Sequence, residues 1–87
     1  MNSSRILIVE YEAIVAMDIQ ARLEALGYLV VGTVSSGEQA VSLAAQTRPD
    51  LVMMDIRLQG ATDGVSAAHQ IRERLRAPVI FLTAHAD

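Results

Sequence analysis

Apolar positions along the chain follow two alternating rhythms. Four short runs are almost continuously apolar: Ile6-Leu7-Ile8-Val9, Leu29 to Val34, Leu51-Val52-Met53-Met54 and Val79-Ile80-Phe81-Leu82. Their starts are separated by 23, 22 and 28 residues. Short apolar runs bounded by turn-forming residues suit strands buried on both faces. Strands of that kind belong to parallel sheets covered by helices.

Between the runs the period lengthens to that of a helix. From Glu12 to Leu26, apolar residues recur at Val15, Ile19, Leu23 and Leu26, with Asp18, Gln20, Arg22 and Glu24 mostly between them. Gly27 follows at the position of a left-handed helix cap. The second strand is interrupted by Gly32. The second helix then opens at Ser35-Ser36-Gly37-Glu38-Gln39, where both Ser35 with Glu38 and Ser36 with Gln39 have capping-box spacing. Val41, Leu43, Ala44 and Ala45 supply its apolar side, and Thr47-Arg48-Pro49 ends it. Thr62 or Asp63 caps a third helix carrying Val65, Ala68, Ile71 and Leu75, which Ala77-Pro78 stops. The order β-α-β-α-β-α-β predicts an α/β fold, a three-layer α/β/α parallel sheet with right-handed crossovers.

Composition narrows the setting. At 87 residues the chain forms one domain, and a domain of that size buries only about 60–65% of its unfolded surface. A hydrophobic fraction of 52% excludes disorder. No apolar run approaches the length of a membrane span. The first residues lack the apolar core of a signal peptide, and there is no cysteine for a disulfide or thiolate metal site. A cytoplasmic protein is expected. The net charge of −3, with basic residues thinly spread, argues against a nucleic-acid surface. All seven basic residues are arginine.

Chemistry in parallel sheets gathers at the carboxyl ends of the strands. There the chain carries Glu10, Asp55 and Thr83. If the first and third strands are neighbours, Glu10 and Asp55 converge. Two close carboxylates repel unless a proton or cation intervenes, and Mg²⁺ is a natural occupant of such an oxygen site. An aspartate beside Mg²⁺ can attack a phosphoryl group, with the metal and the Thr83 hydroxyl steadying the phosphoryl oxygens.

The segments ILIVEYE (6–12), VMMDIRLQG (52–60) and PVIFLTA (78–84) resemble the receiver domain of two-component response regulators. The resemblance runs from Arg5 to the last residue. It implies a flavodoxin-like fold with strand order 2-1-3-4, the family's fifth strand and last helices lying outside this chain. Residues 1–87 would then be a receiver domain incomplete at its C-terminal end. The resemblance further implies that Asp55 is the phosphoacceptor for a histidine kinase or phosphotransfer protein, and that Glu10 belongs to the acidic pocket. Arg57 would lend its backbone carbonyl to Mg²⁺, and Thr83 would contact the phosphoryl group and report it by moving. Such a domain is a signalling module rather than an enzyme, limited to its own phosphorylation and slow dephosphorylation.

Three departures from the family pattern stand out. The second acid after strand one is replaced by Tyr11, so Glu10 or Glu12 takes over, or Mg²⁺ binds weakly, or it does not bind. The family's lysine follows the fifth strand, and this chain contains no lysine. The loop after Asp55 is about one residue longer than usual, with Gln59-Gly60 where Met/Pro-Gly is common. The first two departures keep a second reading open: a pseudo-receiver that is not phosphorylated and works by protein–protein contact. A phosphatase of the aspartyl-phosphate kind would need an aspartate where Arg57 stands. His69 is expected near the core edge, His85 is not counted in the site, and Met53 and Met54 are core filler. With strand four as an open apolar edge, dimerisation or segment exchange is expected.

Overall fold

The computed structural model describes residues 4–55 and 64–82. Its elements are β1 (Arg5–Val9), α1 (Ala13–Ala25), β2 (Leu29–Val34), α2 (Gly37–Thr47), β3 (Leu51–Asp55), α3 (Gly64–Leu75) and β4 (Val79–Leu82). All pairings are parallel, and the order is β2-β1-β3-β4, as expected for the flavodoxin-like receiver fold.

Side chains alternate across a strand, and the two faces of the sheet are filled differently. Leu7, Val9, Val52 and Met54 pack with Ala40 and Ala44 of α2 and Ala67, Ala68 and Ile71 of α3. Ile6 and Ile8 pack with Ala16 of α1, with Ile19, Leu23, Leu51 and Met53 partly buried around them. Two helices cover the first face and one covers the second. Met53 and Leu51 are therefore only half-buried, although the sequence reads as strand buried on both sides.

Gly32 has a packing reason. A Cβ there would stand 2.6 Å from Cδ2 of Leu43, so the strand leaves room for the α2 side chain. The register against β1 slips here, with Ile6 opposite Val30 and Leu7 opposite Gly32, a bulge that strengthens the local twist.

The helix ends follow their sequence signals with one change. Ser36 caps α2, its Oγ accepting from the Gln39 N–H at 3.2 Å. The Gln39 side chain returns not to Ser36 but to the Ser35 N–H, also at 3.2 Å. Gly27 takes φ +97° after α1. Arg48 and Arg76 stand in the left-handed region after α2 and α3, where a side chain is strained.

Two burial expectations are corrected. In α1 the inward line is Ala16, Ile19 and Leu23, while Val15 and Leu26 are exposed. The helix is apolar on most sides, so periodicity alone does not choose its inner face. Small Ala16 wins because it lets the helix approach Ile6 and Ile8 closely. His69 is exposed on α3 rather than at the core edge, and so is Val65, since Ala67, Ala68 and Ile71 take the sheet side. The caps expected at Thr62 or Asp63 lie outside the described residues.

Candidate functional site

The register places the acids. Val9 pairs with Met54, so the next residues in each strand direction, Glu10 and Asp55, are side by side at the ends of the two central strands. By alternation, with Val9 and Met54 facing α2 and α3, both acids turn toward the α1 side. The Glu10 N–H donates to the Val34 carbonyl at 2.9 Å, which extends the β1–β2 ladder by one residue and fixes the first acid. Both acids are largely buried, Glu10 at 6% exposure and Asp55 at 5%.

The electrostatic result follows from that placement. Burial pushes the Glu10 carboxyl above its ordinary value, and the charge of Asp55, a side-chain hydrogen bond with Asp55 and the charge of Glu12 push the same way. One contact opposes them: the Glu12 N–H donates to Oε2 of Glu10 at 3.2 Å. That bond closes a tight turn at the start of α1. Glu12 thus serves Glu10 through its backbone. Among the described residues, no three acids or histidines gather closely enough to hold a metal.

Tyr11 differs from the two acids in its exposure. It is 48% exposed and lines a cavity of about 280 Å³ with Glu10, Met17, Val34, Ser35 and Gln39. Asp55 does not line it. This cavity is made where three consecutive elements, α1, β2 and α2, come together, and no motif announces it. Arg57 and Thr83, the other expected site residues, lie outside the described residues, as does His85.

The acid pair suits a hard divalent cation in chemistry. It offers oxygen donors only, and the part of the raised Glu10 proton affinity that comes from the Asp55 charge is a repulsion that a cation between the two carboxylates relieves. Two carboxylates suffice for Mg²⁺, which keeps most of its waters. The pair does not gain a third acid from Glu12, and Tyr11 contributes none.

A parallel sheet in the order β2-β1-β3-β4, with paired acids ending its central strands, defines a receiver-like fold of the flavodoxin class. The chain belongs to the response regulator receiver domain family, whose pattern matches residues 6–87. It is 42% identical over 83 residues to the transcriptional regulatory protein PdtaR of Mycobacterium tuberculosis, covering 95% of this chain and 40% of that protein. The receiver domain of a modulated diguanylate cyclase from Desulfovibrio desulfuricans superposes with a TM-score of 0.92 at 40% identity, covering 97% of this chain and 67% of that one. The anti-anti-sigma factor PhyR of Bartonella quintana, solved in complex with the anti-sigma factor NepR, gives a TM-score of 0.87 at 37% identity, covering 97% and 35%. The chain therefore spans less than half the length of PdtaR and PhyR. No described helix is long and apolar enough to cross a membrane.

Proposed function

We propose that Asp55 accepts a phosphoryl group from a sensor histidine kinase or phosphotransfer protein, and that residues 1–87 act as one receiver domain that changes conformation in response. The observation that carries this reading is the register, which sets Asp55 beside Glu10 at the ends of β3 and β1 with both side chains largely buried. A carboxylate oxygen of Asp55 attacks phosphorus as the P–N bond of the donor phosphohistidine breaks. The electron pair of that bond stays on the imidazole nitrogen. Glu10 holds its side chain against Asp55, braced by the Glu12 N–H. Glu10, Asp55 and the Arg57 carbonyl would hold Mg²⁺, which supplies positive charge beside the phosphoryl oxygens when bound. Thr83 offers the hydroxyl that contacts the group. The domain works as a signalling part, turning over no separate substrate, in a cytoplasmic setting.

Tyr11 favours a second reading, a pseudo-receiver that keeps the fold and works by protein contact. The family's second acid is absent, and no other acid joins Glu10 and Asp55 among the described residues. A second copy of the chain is a candidate partner, since β4 is an outer strand of the described sheet with Ile80 and Phe81 exposed. Sedimentation tests this: a monomer at high concentration rules the dimer out.

Intact-mass measurement after incubation with acetyl phosphate decides between the first two readings. A Mg²⁺-dependent phosphoryl adduct that is lost in Asp55→Asn supports the phosphoacceptor. Absence of the adduct, with its appearance in Tyr11→Asp, supports the pseudo-receiver and assigns the loss to Tyr11.

A further inference from the structure

The cavity between α1, the end of β2 and the start of α2 has Glu10 but not Asp55 among its described lining residues, and the proposed phosphoryl chemistry on Asp55 leaves most of it unused. At about 280 Å³ it holds the liquid volume of roughly nine waters. That is far more than a bare cation needs and less than drug-sized pockets usually offer. Its lining is chemically sided. Glu10 is nearly buried, so its carboxylate belongs to the floor rather than the rim. Met17, Val34 and Ala16 form an apolar wall, and Thr33 and Ser35 supply hydroxyls. Among the described residues the lining holds one carboxylate and no basic side chain. Tyr11 adds an aromatic ring at the position where receivers carry a second acid, and aromatic rings attract cations over their faces.

We propose that this cavity binds a small primary alkylammonium compound, its NH₃⁺ group on the Glu10 carboxylate and its alkyl body against Met17 and Val34. An ammonium brings three donors to a floor that only accepts. A short alkyl chain has the size of the remaining space, and the apolar wall takes it out of water. An anion would meet Glu10 with no basic group among the described lining residues to offset it. The family's acid at the Tyr11 position would recruit a hard hydrated cation instead; the phenol ring makes this rim suitable for an organic one.

The test is an amide ¹H–¹⁵N NMR titration of the 87-residue chain with n-butylammonium chloride at constant ionic strength. Saturable shifts are expected at Tyr11, Met17, Val34 and Ser35, with a Kd on the order of millimolar, as suits so small a ligand. Neutral butyramide should bind about tenfold or more weakly, because it lacks the charge-assisted bond. Glu10→Gln should weaken butylammonium by a similar factor. Met17→Arg, at a position exposed enough to spare the fold, should abolish the shifts by fixing a cation at the mouth. The proposal is overturned if shifts do not saturate, if they scatter over the chain, if butyramide matches butylammonium, or if both variants bind as the parent does. Phosphorylation does not enter this titration, so the fate of the Asp55 reading and the fate of this one are read separately.

Discussion

At the end of the sheet where β1 and β3 begin, Arg5 meets acceptors. Its N–H donates to Oδ2 of Asp50 at 2.8 Å, and the Asp50 N–H returns to the Arg5 carbonyl at 2.8 Å. Its guanidinium reaches the Thr47 and Arg48 carbonyls at the C-terminus of α2, where the helix leaves acceptors unsatisfied. At the end where the same two strands finish, Glu10 meets Asp55. One end joins opposite partial charges and closes the α2–β3 connection. The other holds like charges together, relieved in part by a single backbone N–H from Glu12. The contrast sets a satisfied end of the sheet against a strained one, and it predicts opposite signs for substitutions of Arg5 and of Glu10.

The largest effect should come from Arg5→Ala, which removes charged hydrogen bonds to carbonyls but not the backbone pair with Asp50. It should cost about 1–2 kcal/mol in urea unfolding; a neutral result would show that solvent replaces the arginine. Ser36→Ala, which removes the α2 cap, should cost about 1 kcal/mol, read as a lower melting temperature.

Glu10→Gln should move the other way and stabilise the fold by up to about 1 kcal/mol near neutral pH. The amide still accepts from the Glu12 N–H while ending the repulsion with Asp55. The sign of the pH effect follows. Because the folded chain holds the Glu10 proton more tightly than the unfolded chain, this group weakens the fold as pH rises from 4.5 through the raised value. Above that window the penalty stays constant. The parent should therefore gain stability relative to Glu10→Gln on acidification, and parallel stability curves for the two proteins would contradict the account. The smallest effect is expected at Arg48→Gly, a gain of about 0.5–1 kcal/mol from relieving a left-handed side chain. Its carbonyl stays in place for Arg5.

The strands were legible because each is a short apolar run between turn signals, and β2, β3 and β4 fall where those runs predict. The acid pair was legible for the same reason: Glu10 and Asp55 are the polar residues at which two of the runs stop. The inner face of α1 was not, since Ile14 at 82% exposure and Met17 at 68% are as apolar as the residues that face the sheet. Arg5 reads as a charged residue before a strand, and its reach to α2 depends on folding across more than forty residues. The cavity of Tyr11, Met17, Val34 and Ser35 is equally invisible, because it is made by the packing of three elements.

The central claim is that Glu10 and Asp55 share one site. Its most direct test is a ¹³C NMR titration of the Glu10 carboxyl in the parent and in Asp55→Asn. The account predicts that Glu10 titrates above the ordinary 4.5 in the parent and falls part of the way back in the variant. Burial, the larger cause, remains, while the negative charge of Asp55 is gone. A Glu10 that titrates at its ordinary value, or that ignores the loss of Asp55, would contradict the paired site.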